Sequence, residues 1–355
     1  MATGRETEEW PLKRLLSDVV GSGPKSAEDM TREQATEAFE RILRDDPDST
    51  TLGAFWLANR WKKNTPTELA AYRDVMARES VTSVAPDCDP VDCGANYDGK
   101  GRTALLGVAA GLVAASAGTP VVVHSGGRVP SGNGVAYKHV LDELGVETDL
   151  APAASAAMTD EVGFGFYYQP HFNPGVHDLL DRREQMGVRT FLNTVETLAN
   201  PADADVHLGS FYHLSFAKKL TDTVAASETA DFSRVLLFQG LEGYDDVRPG
   251  STTVAEWDGA TLADFTIETE AYGMAVENAD LEVPDVAADS ARITEEVLAG
   301  ERTDDFADAV ALNAALRLYA AEDVDDIEAG LDVARDAIET GAAADALVDL
   351  RAFEA

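Results

Sequence analysis

Apolar residues recur at helical spacing through the first eighty positions and then change period. After Thr31, a plausible N-cap followed by Glu33 and Gln34, the apolar positions Ala35, Ala38, Phe39, Ile42 and Leu43 predict one amphipathic helix. Asp45-Asp46-Pro47-Asp48 breaks it. A second helix is predicted over 52–61, and Thr65-Pro66-Thr67-Glu68 opens a third with proline just inside its start. From about residue 86 the texture becomes alternating strands and helices. Pro120-Val-Val-Val-His124 and Arg234-Val-Leu-Leu-Phe-Gln239 read as buried strands, with a glycine- and alanine-rich helix over 103–117 small enough to pack closely on a sheet. Further helices are predicted at 135–144, 174–186, 308–320 and 325–339. The pattern predicts an α/β fold: a small helical N-terminal domain over 1–85, joined by helices from about 174–200, and a larger α/β domain over 86–355 with a mainly parallel sheet flanked by helices.

The length of 355 residues suits two domains of roughly 150 residues each, and 45% apolar residues exclude a disordered chain. Charge then constrains the partners. With 64 Asp+Glu against 28 Lys+Arg the formal net charge is -36, which repels phosphate backbones and anionic membranes. Nucleic acid is therefore a disfavoured partner. At molar salt the Debye length is about 3 Å, so carboxylates spread evenly along the chain cease to repel and hold hydration instead. We read the acidity as a mark of a halophilic cytoplasm. Cys88 and Cys93 are too few for a disulfide framework or a four-thiolate metal site. No basic-then-apolar leader opens the sequence, and its most apolar stretch, 105–123, is interrupted by Gly107, Gly111, Gly118 and Pro120, which argues against secretion and membrane spanning.

Ligands of parallel sheets gather at the carboxyl ends of the strands, so the loops there carry the candidate chemistry. The first, Gly94-Ala-Asn-Tyr-Asp98-Gly99-Lys100-Gly-Arg-Thr103, combines glycines, a following helix N-terminus and mobile cations, as a phosphate cradle requires; an ordinary strand-to-helix turn is the competing reading. The second, His124-Ser-Gly-Gly-Arg128-Val-Pro-Ser131-Gly-Asn-Gly134, offers an imidazole, hydroxyls and an arginine suited to a sugar phosphate. In the third, Asp245 and Asp246 stand on a glycine-bounded turn of the kind that holds Mg²⁺, although paired aspartates in so acidic a chain are commonly surface charge. His171, Arg182, Arg183 and Arg189 are basic residues able to receive an acidic substrate or to pair internally. His139, His177, His207 and His213 read as ordinary helix or strand positions. No His/Cys metal cluster and no nucleophile–His–Asp spacing is found, so no catalytic residue is assigned.

Taken in order, these segments resemble the anthranilate phosphoribosyltransferase family, of the glycosyltransferase family 3 and pyrimidine nucleoside phosphorylase-like fold. The resemblance covers nearly the whole chain. It rests on Lys62-Lys-Asn-Thr-Pro-Thr-Glu-Leu69, on Arg183-Glu-Gln-Met-Gly-Val-Arg189-Thr-Phe-Leu-Asn193 followed by Leu198-Ala-Asn-Pro201, and on Asp308-Ala-Val-Ala-Leu-Asn313 with Gly330 to Gly341. It implies a Mg²⁺-assisted, homodimeric transferase of tryptophan biosynthesis that joins phosphoribosyl pyrophosphate to an aromatic acid. By the same resemblance Gly94, Asp98, Gly99, Lys100, Thr103, His124, Arg128 and Ser131 bind the donor, His171 and Arg183 the acceptor, and Asp245 and Asp246 the metal. The donor is expected between the turn at Asp98 and the turn at His124. The chain departs from the family where Gly-Thr-Gly-Gly-Asp-Gly becomes Gly94-Ala-Asn-Tyr-Asp-Gly99, where the lysine of Lys-His-Gly-Asn-Arg becomes Val123, and where Gly-Pro-Leu becomes Glu196-Thr-Leu198. Those departures resemble a divergent anthranilate-phosphoribosyltransferase-like branch. They motivate a second reading, a non-catalytic nucleotide- or nucleic-acid-binding protein on the same fold.

Overall fold

The computed structural model describes residues 11–21, 23, 25–44, 47–130 and 134–355. The N-terminal helices form where the apolar spacing places them, at Arg32–Arg44, Ser49–Lys62 and Pro66–Glu79. The second begins three residues before the expected start because the Asp48 carboxylate accepts the Thr51 amide and caps it. At the third, Thr65 and Glu68 cap each other reciprocally. These helices bury Phe39, Tyr72 and Val75 in one core with residues from 172–202. Tyr72 stacks on Phe191 at 4.0 Å between ring centroids and Phe39 meets both edge-on, so a later stretch of chain completes the helical layer.

Seven strands make the second layer: β1 (Val91–Cys93), β2 (Val121–Ser125), β3 (Phe164–Tyr168), β4 (Val206–Phe211), β5 (Arg234–Gln239), β6 (Ser251–Trp257) and β7 (Leu262–Glu268). Their order is β3-β2-β1-β4-β5-β6-β7. The first five are parallel, and β6 and β7 form an antiparallel hairpin at one edge. Helices Gly107–Ser116 and Asp305–Ala320 are buried along most of their length and share one core with the sheet. The helix predicted over 308–320 starts at Asp305, and two others differ more. The helix predicted over 103–117 starts at Gly107, because the amides of Thr103, Ala104, Leu105 and Leu106 are taken by Glu242, Leu281, Ser290 and Asp246. The helix predicted over 174–186 is two short ones, Pro174–His177 and Leu180–Met186. No helix among the described residues is long and apolar enough to cross a membrane.

The chain runs outward in both directions from the sheet's centre, so its order reverses between β1 and β4. At such a reversal the loops leave in opposite directions and open a crevice above the strand ends. Asp92 of β1 is in register with His207 of β4 beneath that crevice.

Candidate functional site

Asp92 is completely buried in the middle of the sheet. Burial alone pushes its carboxyl up, but His124 and His207 outweigh that and hold it at about 2, so it is an ionised acceptor. Its Oδ2 accepts from His207 Nδ1 at 2.7 Å, and its Oδ1 lies 3.3 Å from His124 Nε2. Fixing Nδ1 as the donor leaves His207 Nε2 as the basic nitrogen, and that atom has no protein partner among the described residues. Two glycines let the backbone pack closely on the ring. A Cβ on Gly94 would stand 2.5 Å from His207 Cε1, and one on Gly209 would stand 2.9 Å from Nε2.

His207 lines a cavity of about 370 Å³ in the crevice between β1 and β4. Arg60 and Arg189 stand at its rim, Asn193 and Ser210 supply polar groups, and Phe211 and Phe216 form an apolar wall. A cavity of this size and mixed lining suits one small organic molecule. Arg189 bonds Asp98 Oδ2 at 2.8 Å and Asn96 at 2.9 Å, which ties the first glycine loop to the helical layer. The exposed Arg60 donates to the Arg189 carbonyl and meets no carboxylate among the described residues. The carboxylate that borders the cavity, Glu242, is already held by the amides of Gly101 and Thr103 and the Thr103 hydroxyl.

The structure separates the residues expected to bind the donor. Gly94 borders the cavity, and Asp98 is anchored beside it by Arg189 and Asn193. The space between the Asp98 turn and His124 is not open: the buried Tyr97 ring fills it, and its hydroxyl bonds His124 Nδ1. Gly99 abuts the Val135 backbone, and Thr103 is engaged with Glu242. Lys100, expected as a mobile cation, is fully buried between the Ala104 carbonyl and Asp246 at 2.6 and 2.7 Å. Arg128 lies on the surface, paired with Asp181 and Glu184. Ser131 lies outside the described residues.

The expected acceptor residues are also apart. His171 is exposed and bonds Asp149 at 2.6 Å. Arg183 is buried, and both ends of its fork are taken by Glu196 at 2.7 and 2.8 Å. That is the geometry by which arginine grips a substrate carboxylate, satisfied here from within the chain. Glu196 stands where the family's Gly-Pro-Leu begins, so its own side chain supplies the carboxylate.

The aspartate pair does not fit a protein-held Mg²⁺. Asp245 accepts from Arg317 at 3.0 Å and from the Tyr137 hydroxyl, while Asp246 accepts from Lys100 and from the Leu106 amide. Two cations therefore already balance the two carboxylates. Burial, with Asp246 adding to it, pushes Asp245 up to about 6 despite Arg317. Each aspartate keeps one oxygen without a partner, but both side chains are closed off, and Mg²⁺ retains several waters that need room. Among the described residues no group of three or more His, Cys, Asp or Glu is placed to hold a metal.

His207, Glu196 and Arg60 escaped the sequence reading. His207 looked like any strand residue because its importance comes from the register with Asp92, and Glu196 because its partner lies thirteen residues away across a break between helices.

Residues 97–344 match the glycosyl transferase family, a/b domain, and residues 15–80 match the glycosyl transferase family, helical bundle domain. The chain is 32% identical to an anthranilate phosphoribosyltransferase of Natronomonas pharaonis over 92% of its length and 96% of that protein's. Against the enzyme of the same name from Haloarcula marismortui it is 32% identical, covering 91% and 96%. Among solved structures it resembles the anthranilate phosphoribosyltransferase of Thermus thermophilus, with a TM-score of 0.78, 25% identity and coverage of 92% and 96%. It shares the fold of the Saccharomyces cerevisiae enzyme in complex with PRPP and Mg, with a TM-score of 0.79, 20% identity and coverage of 96% and 97%.

Proposed function

The chain belongs to the glycosyl transferase family that its helical-bundle and a/b segments match, and from that membership we propose a phosphoribosyltransferase that joins phosphoribose to anthranilate or a related aromatic acceptor. The observation that carries the reading is the coincidence of near-complete family coverage with a cation-rimmed cavity at the strand-order reversal. Transfer at a sugar C1 needs the reactants aligned and the positive charge developing on the ribose stabilised, with no covalent nucleophile. The crevice supplies alignment through Gly94 and the Asp98 turn on one side and Asn193 on the other. Mg²⁺ enters this reading as the counterion of the diphosphate donor, part of the substrate. Residues 1–85, joined by helices from about 174–200, and residues 86–355 are taken as the two domains, and the cytoplasm, where Cys88 and Cys93 stay free thiols, as the compartment.

Purified protein given phosphoribosyl pyrophosphate, Mg²⁺ and anthranilate in molar KCl is expected to consume anthranilate fluorescence and release diphosphate. Absence of both ends the reading. The Tyr97–His124 and Lys100–Asp246 contacts favour the second reading, a non-catalytic binding protein on the same fold. Ligand binding without diphosphate release selects it.

The homodimer is part of the same proposal. Trp61 is 71% exposed and Leu57 38%, beside a groove lined by Leu16, Val20, Ala54 and Ala58, and a second copy of this chain covers such an apolar helix face. Sedimentation is expected to give twice the chain mass of 37.8 kDa, and Trp61→Asp to return it to the monomer value. A wild-type monomer at micromolar concentration refutes the dimer.

A further inference from the structure

Arg183, the arginine expected to receive an acidic substrate, is closed by Glu196, and displacing a buried ion pair leaves charge without a partner. Arg60 offers an accessible guanidinium without that cost. It stands on the cavity that His207, hydrogen-bonded to Asp92, also lines, with Phe211 and Phe216 as a wall for a planar ring. We propose that the acceptor, an aromatic amine carrying a carboxylate, binds in the β1–β4 cavity with its carboxylate on Arg60 and its amine at His207 Nε2.

This assignment rests on the transferase reading and adds a catalytic residue to it. The amine nitrogen bonds to ribose C1 as the bond from C1 to the diphosphate oxygen breaks, and the diphosphate leaves with the bonding pair. The amine proton passes to His207 Nε2. Asp92, already accepting from Nδ1, compensates the imidazolium that forms.

The test is a titration of wild-type protein with anthranilate alone in molar KCl, followed by calorimetry, and repeated with Arg60→Glu, His207→Gln and Arg128→Ala. The expected result is binding that Arg60→Glu weakens at least tenfold and Arg128→Ala leaves unchanged. His207→Gln keeps a hydrogen-bonding group beside Asp92; it is expected to hold binding within about threefold while turnover falls at least 100-fold, as loss of a general base does. No anthranilate binding, or equal binding by wild type and Arg60→Glu, overturns the proposal. Arg60-dependent binding with no product from phosphoribosyl pyrophosphate instead defeats the transferase reading: the cavity assignment then stands and the proton role falls with the reaction.

Discussion

Arg317→Met is expected to destabilise the protein by about 3–5 kcal/mol, the usual cost of leaving one member of a buried ion pair without its partner. Arg317 and Asp245 are both fully buried, and Arg317 also donates to the Asn313 carbonyl at 2.9 Å. Asp245 then retains the Tyr137 hydroxyl and faces Asp246, which Lys100 alone balances. Adding Asp245→Asn to the same variant removes the stranded charge and is expected to recover most of the loss. Urea unfolding in molar KCl measures both. Salt screens exposed charges far more than buried ones, so the loss should persist there. A loss below about 1 kcal/mol, or no recovery in the double variant, overturns the account of a buried pair.

Asp92→Asn is the second large effect. The carboxyl is held at about 2 against an ordinary value of 3.8, a difference worth about 2–3 kcal/mol in favour of the folded state. The sign follows from the depressed value. The contribution is fully present above about pH 4 and is lost as pH falls through about 2, because only the folded state holds the ionised form there. Asparagine brings one acceptor where two imidazoles need one each, so the variant should lose that stability at neutral pH. The gap to wild type should close on acidification. Parallel unfolding curves between about pH 2 and 7 check this; a gap that stays constant with pH removes the electrostatic account. The same substitution loosens His207, so turnover is expected to fall with it.

The ion pairs at Arg183–Glu196, Lys100–Asp246 and Arg317–Asp245 share one property. Each cation or carboxylate that the family resemblance assigns to a ligand is met by a group of this chain. Glycine loops can be recognised from composition, but whether they are open depends on which side chains fold into them. Tyr97 illustrates this: its position in the loop was plain, and its bond to His124 was not. The edge hairpin was missed for a different reason. Its turn is set by the Asp258 carboxylate accepting the Ala260 and Thr261 amides, a four-residue signal easily lost among so many aspartates.

By itself the sequence determined the helical and α/β layers, the buried strands β2 and β5 and the family, because apolar period, caps and motif spacing are local or colinear properties. The tertiary structure decided which charged groups are free. Pairing between residues as distant as Asp92 and His207, Lys100 and Asp246, or Asp98 and Arg189 depends on strand order and register, which bring together positions about 90 to 150 residues apart and leave no trace in the spacing of either partner.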